Sequence, residues 1–570
     1  MSGLFGALGL GARALVAHQG AIRVAGHNVS NANVEGYSRQ RAVLQPSQAE
    51  DLVVGIIGRG VDLASIQRLT DDFIDRSIRQ GASNLKSLDV QRTALNQAEG
   101  VYQELSDGDL STQLTRFFQS LDDLAARPED MAVRRSVVEQ GRSLAESFQT
   151  VRSGLTDIRK NLNNTVSVSV GTINSLTADI ARLNKQIVET EYANASGSRN
   201  ANDLRDLRDQ DLKKLSEIVQ IKAYEQTDGQ MNVYADGDPL VMQDRASVLT
   251  TTTSVSDGIQ IVTPIFSSNN GPLVLRGGSL EGLATARDTT IPKYITDLDT
   301  LAGAVIQEFN KLHSEGIGLT GFSSLTSVNQ VTSTSADLDA AGLDFTPVNG
   351  SFTLQVTNRV TGQTVSTNIQ IDLDGIGSDT SLDDLQAALD AVGNISASVT
   401  GADKLSITAD SADYTFGFTN DTSNVLACLG LNTFFTGKDA QDIGVNSLVD
   451  DDLSKLAAAT TVGAAGDNTN ALAMADLRNV AVLSSNTSTL EQFYQGSVGT
   501  LAVETAQKRD AFTSQKLRNE QMDNQRQEIS GVNIDEEMVH MMEYQRAFQG
   551  AARFISVVDE MLDTLVNRLF

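Results

Sequence analysis

The 570-residue chain has no tryptophan, one cysteine, seven prolines and a shortage of basic side chains. With a single thiol, Cys428, no internal disulfide can form, and a thiol enzyme would need a partner base that no residue pattern supplies. A small buried hydrophobe is the simpler reading of Cys428. Aromatics amount to 5%, too few for a base-stacking surface or a large ligand pocket. Lys and Arg number 44 against 72 Asp and Glu, a formal charge of −28, which opposes binding to nucleic acid or an anionic membrane because both need a basic face. No apolar run reaches membrane-spanning length. The opening MSGLFGALGLGARALVAHQG has no basic residue ahead of its apolar part, and Arg13 interrupts it, so a cleaved signal peptide is not expected, and any passage out of the cell would take another route.

No proline lies before Pro46 or after Pro347, which leaves both ends free to form long helices. Near the start, Leu8, Leu15, Ile22 and Val29 recur every seven residues, with Leu4, Gly11, His18 and Ala25 in the companion positions. At the far end Ile534, Met541, Phe548, Ile555, Leu562 and Leu569 repeat in the same way, accompanied by Tyr544, Ala551, Val558 and Leu565. Asn533 followed by Glu536 predicts a capping box at the head of this helix. Between Leu144 and Ile187 a third heptad series runs through Phe148, Val151, Leu155, Ile158, Leu162, Val166, Ile173 and Ile180, with a phase shift at Val166.

The middle of the chain changes character. Residues 219–236 alternate around Asp228-Gly229, predicting a β-hairpin, and a helix is expected after Pro292 with Ile295, Leu298, Ala302, Val305, Phe309 and Leu312 on one face. SFTLQV, TNIQIDL, ISASV, KLSIT and YTFGF beyond it are short strand-like runs, interrupted by a helix from Ser381. Residues 331–470 hold 19 Asp, no Glu and four basic residues, so 4 − 19 = −15. The predicted class is α+β and multidomain, with paired terminal coiled-coil helices, a long helical bundle and inserted β-rich domains. The expected division is 1–75 with 530–570 for assembly, 76–200 with 470–529 for the bundle, 201–330 with 435–469 as a mixed insertion, and 331–434 as an outer acidic domain.

Chemistry is sparse. His18, His27, His313 and His540 lack ligand-spaced partners, and Gly6, Gly9 and Gly11 follow no strand, so close helix packing explains them better than a dinucleotide loop. Asp450–Asp452 and Asp372 with Asp374 lack the spacing of a calcium loop. No catalytic residue, cofactor or metal is assigned.

The row SNANVEGYSRQ, from Ser30 to Gln40, together with GVNIDEEMVHMMEYQRAFQGAARFISVVDEMLDTLVN near the end, resembles the flagellar rod, hook and junction axial proteins. The turn residues Asn31, Asn33, Gly36, Tyr37, Ser38, Arg39 and Gln40 carry that likeness, and NDLRDLRDQDLKKLSE and LDTLAGAVIQEFNKLHSEG extend it. The resemblance implies a structural, non-catalytic subunit that joins hook to filament after type III export. It further implies helical self-assembly, contacts with the hook protein and hook-associated protein 3, and an export chaperone, without nucleic acid or membrane. The interface would use Leu8, Leu15, Ile22, Val29, Ile534, Met541, Tyr544, Phe548, Ile555, Val558, Leu562, Leu565 and Leu569. Heptad helices without a partner in their own domain are marginal in water, so both ends are expected to be largely disordered in the monomer and to fold on assembly. Other axial proteins of the system share such ends and remain open, as does an enzyme carried on the insertion.

Overall fold

A computed structural model describes residues 2–52, 55–103, 109–192 and 200–569. Helices dominate: α1 Ser2–Asn31, α2 Asp72–Gln103, α3 Leu110–Ala126, α4 Met131–Tyr192, α5 Asn202–Ile218, α6 Gly278–Thr285, α7 Ile291–Ser314, α8 Leu382–Asp390, α9 Val425–Leu429, α10 Ser447–Asp451, α11 Thr469–Asp476, α12 Leu490–Ser530 and α13 Ile534–Leu569. Local rules account for their limits. The Thr112 amide donates to the Asp109 carboxylate at 2.6 Å to start α3, and Pro128 lies just past its end. Ser381 and Asp384 form a reciprocal capping box on α8. Pro292 stands in the first turn of α7, whose predicted stripe from Ile295 to Phe309 is buried. Leu312 is only half-buried, and its neighbour His313 takes the interior place. All ten residues of the heptad series in α4, from Leu144 to Ile187, are buried, as a helix covered along its whole apolar stripe requires.

The chain forms two compact units, Met1–Thr93 with Lys160–Arg287 and Ala506–Phe570, and Ala94–Arg159 with Asp288–Thr505. In the first, β1 (Gln40–Pro46) pairs antiparallel with β4 (Val61–Arg68), while the short β2 (Glu50–Leu52) and β3 (Gly55–Ile57) pair beyond them. β5 (Lys222–Glu225), β6 (Met231–Ala235), β7 (Asp238–Met242) and β8 (Arg245–Ala246) build an antiparallel sheet in sequence order, with Gly229 at φ +83° in the first turn. β9 (Leu249–Ser256) and β10 (Ile259–Phe266) form a hairpin. Three asparagines of α4 hold this β structure by exchanging both amide bonds with strand backbone. Asn163 binds the Gln260 carbonyl and Val262 amide, Asn174 the carbonyl and amide of Leu249, and Asn184 the carbonyl and amide of Met231, at 2.8–3.0 Å. Each carboxamide thereby satisfies strand groups that would otherwise lack partners.

The second unit concentrates the scarce aromatics. Phe117 of α3, Phe309 of α7, and Phe434 and Phe435 pack with ring centroids 4.8–5.8 Å apart. His313 adjoins them, fully buried, with Nδ1 2.7 Å from the Asn432 carbonyl and Nε2 accepting from the Ala457 amide at 3.1 Å. Those partners require the neutral ring protonated on Nδ1, and burial lowers its pKa to about 4. The strand-like runs become β11 (Ser324–Thr326), β12 (Gly350–Asn358), β13 (Thr364–Ile371), β14 (Ile395–Val399), β15 (Leu405–Ala409) and β16 (Tyr414–Thr419). They form two three-stranded sheets, ordered β13-β12-β16 and β11-β15-β14. Phe352, Leu354, Ile407, Phe416 and Phe418 pack with Leu382, Leu385 and Leu389 of α8 in one core. Cys428 is buried, its thiol pushed up to about 12 by desolvation and by Asp421, which makes it unreactive.

Candidate assembly site

The two termini meet. Cβ atoms added at Gly11 would lie 2.6 Å from Ile555, the His18 ring stands 6.5 Å from Tyr544, Gly26 faces Met541, and Asn28 bonds Glu537. Rising numbers in α1 therefore oppose falling numbers in α13, an antiparallel pair, and Gly11 is where the lack of a side chain lets the helices approach. Gly6 and Gly9 have open space around them, so the close packing expected there is not made by any of the described residues.

Along α13, Met541, Tyr544, Phe548, Ile555, Leu562 and Leu565 are half-buried and Val558 is buried. Ile534 is 46% exposed, and Glu537 occupies the inward position of the first turn. The side chain of Leu569 lies outside the described residues. On α1, Leu8, Leu15, Ile22 and Val29 are half-buried, whereas Ala17, Ala21, Val24, Ala25 and Asn28 are covered. The burial stripe is displaced because a second surface also packs on α1: a Cβ at Gly20 would lie 2.6 Å from Leu63 of β4. The rest of the pair is bare, with Phe5, Val16, Met542, Phe554, Val557 and Met561 all at least 40% exposed. Apolar side chains repeated along one helix pair and left in water mark a surface that another body covers.

A polar joint fixes this pair at its closed end. Asn28, fully buried, accepts from the Gln40 amide (3.0 Å) and the Tyr37 hydroxyl (2.7 Å). It donates to the Gln40 carbonyl (2.7 Å) and to the Glu537 carboxylate (3.0 Å). All four hydrogen-bonding positions of the carboxamide are filled. Glu537, itself buried, also receives Arg39 Nε at 2.7 Å. The expected capping box is half made: Asn533 accepts from the Asp535 amide, but the Glu536 carboxylate turns to Arg39 at 3.0 Å. A charged partner within reach offers it more than the backbone amide does.

The turn closes onto α5. The Ser38 amide donates to Asp206 (3.1 Å), Gln40 Nε2 to Asp203 (2.9 Å), and Gln210 to the Glu35 carbonyl (2.6 Å). Gly36 has φ +80°, and a Cβ there would lie 2.3 Å from the Gln210 side chain, so both conformation and space require glycine. Asn31 caps the end of α1 by donating to the His27 carbonyl, while Asn33 lines a 660 Å³ cleft with Arg39 and Arg526. Arg68 bridges Asp206 and Asp209 at 2.7 and 2.8 Å. Burial alone would lower its pKa, but Asp209 and Asp206 outweigh this and hold the guanidinium charged. Burial, then Asp203, Asp206 and Glu537, raises the Tyr37 hydroxyl, keeping it a donor.

The sequence reads Asn28 as a turn former with Asn31, Asn33 and Gly36, and Glu537 as a carboxylate suited to the head of the last helix. The structure instead keeps Asn28 inside α1 and joins it to Glu537, a contact that no local spacing signals, and the Arg68 bridge has no local signal either. Of the acidic runs, Asp372 and Asp374 are exposed, with Asp379 close enough that the three carboxylates have oxygens within 4.8 Å of one another, and Asp450 makes an exposed ion pair with Arg142.

Comparison with known proteins bears on this arrangement. Residues 95–345 match the flagellar hook-associated protein FlgK helical domain, and residues 523–569 match the flagellar basal body rod FlgEFG protein C-terminal. Flagellar hook-associated protein 1 of Salmonella typhimurium is 28% identical, across 97% of this chain and 98% of that protein. Its counterpart in Escherichia coli K12 is 26% identical with the same coverage, and that of Bacillus subtilis 26% across the whole chain and 99% of the relative. The flagellar hook junction protein FlgK from Burkholderia pseudomallei shares the fold, with a TM-score of 0.51 over 80% of this chain and all of that one, at 18% identity. A helical domain, a terminal helix and full-length relatives thus agree, and over its whole length the chain is similar to flagellar hook-associated protein 1.

Proposed function

We propose that the chain is a structural subunit that joins hook to filament and assembles through α1 and α13 after export by the flagellar type III pathway. The observation that carries this reading is the bare apolar surface of the terminal pair, Phe5, Val16, Met542, Val557 and Met561 among its members. Burying such side chains against neighbouring subunits supplies roughly 1.5–3 kcal/mol each when complete. The partners are further copies of this chain, the hook protein on one side and hook-associated protein 3 on the other, with an export chaperone beforehand. Its work is mechanical, the site of action is outside the cell, and residues 331–434 are an outer acidic domain.

Complementation of a deletion strain tests this. The native chain restores filaments. Met542→Asp combined with Val557→Asp is expected to be exported yet to leave hooks without filaments and shed flagellin into the medium. Normal filaments from that double variant would sink the proposal.

A further inference from the structure

β13 is an edge strand of the sheet β13-β12-β16, yet its sequence TVSTNIQI holds no charge, proline or glycine. Exposed edges normally carry such residues because unpaired strand backbone recruits other strands. Beside β13 runs a groove of about 590 Å³. Val356, Val365, Ile369 and Val392 supply its apolar lining, and Val365 is 57% exposed. The exposed carboxamides of Asn368, Gln370 and Asn394 stand at its margin. No residue lining the groove is charged, although residues 331–470 carry −15.

We propose that β13 and this groove bind an extended segment of another protein as an added strand, with alternate apolar side chains entering the groove and basic residues flanking them. An open edge supplies the backbone hydrogen bonds of such an addition, and adjoining pockets select the side chains. The charge identifies the partner's character. A second copy of the same region would bring −15 against −15, whereas a neutral strand with basic ends meets an uncharged groove in a region of net negative charge, where Asp390 and Asp413 adjoin the lining residues Ala391 and Tyr414 and Arg359 adjoins Asn358. The inference is independent of how the terminal helices assemble.

The test uses the full chain and the blocked peptide KTVTVTVK, read by calorimetry and by hydrogen exchange. Binding is expected with slowed exchange confined to Thr364–Ile371 and its neighbours in the groove. The peptide DTVTVTVD should bind at least about ten-fold more weakly at low salt. Val365→Lys, on an exposed position that leaves the fold intact, should abolish binding, while Val360→Lys in the β12–β13 turn, outside the groove, should not. Absence of binding at about 1 mM peptide, equal affinity for the two peptides, unchanged binding by Val365→Lys, or pairing of β13 with a second copy of the chain would each overturn the proposal.

Discussion

α4 and α13 carry the same kind of seven-residue apolar repeat and end in different states. Every stripe residue of α4 from Leu144 to Ile187 is buried in its own chain, whereas most of the stripe on α13 is half-covered and Met538, Met542, Val557 and Met561 stand in water. Heptad period reports that a helix has an apolar side; it does not report who covers it. In α4 strands, loops and other helices do so, with Asn163, Asn174 and Asn184 fixing the β structure of one unit against it. In α13 the cover within the chain is α1 alone along much of the length, a helix rich in Gly and Ala that buries little area per residue.

The contrast can be broken most severely in α4. Phe148→Ala should lower unfolding free energy by about 3–5 kcal/mol, measured from urea midpoints, because Phe148 has no exposed surface to lose. The next largest effect is electrostatic. Burial holds His313 at a pKa of about 4, below its unfolded value, so its stability contribution is complete above about pH 6.5 and is lost as pH falls toward 4, a change of about 3 kcal/mol. Glu315 has the opposite sign: burial and Asp421 raise it to about 7, so its contribution is complete below its unfolded value and is lost as pH rises through 7. The His313 slope should therefore emerge in a Glu315→Gln background and flatten in the native chain. Ring nitrogen resonances of His313 should stay those of the neutral Nδ1-protonated form down to about pH 4.

Asn28→Ala should cost about 2 kcal/mol and release the Glu537 end of α13 first, seen as faster exchange of amides near Ile534. It strands the Gln40 backbone groups and Glu537 without their buried partner. Smallest of all, Val557→Ala should change the stability of the free chain by no more than about 0.5 kcal/mol, since its side chain is already 48% exposed, while weakening assembly.

How much of this was legible follows from distance along the chain. Stripes on α4 and α7 could be read because helical spacing is local, and the hairpin at Asp228-Gly229 because turn chemistry is local. Gly36 was legible as a turn glycine, though its second reason, the Gln210 side chain, was not. Glu537 meets Asn28 across 509 residues, and no spacing rule links such a pair. Ile534 read as the first seam residue, but the helix begins there, and the inward position one turn on belongs to Glu537. The halved capping box has the same origin: local pattern predicted Glu536 to serve the backbone, and a distant Arg39 claimed it. Sheet orders such as β13-β12-β16 depend on pairings the strand sequences do not encode.

The central claim is that the terminal pair completes its burial only on assembly. Hydrogen exchange followed by mass spectrometry, comparing free chain with assembled chain, addresses it directly. Amides of α4 should be protected in both states, while those of α1 before Gly20 and of α13 from Met541 to Leu565, beyond the Asn28–Glu537 joint, exchange rapidly in the free chain and slow by at least about a hundred-fold on assembly. Protection of α1 and α13 in the free chain equal to that of α4 would contradict it.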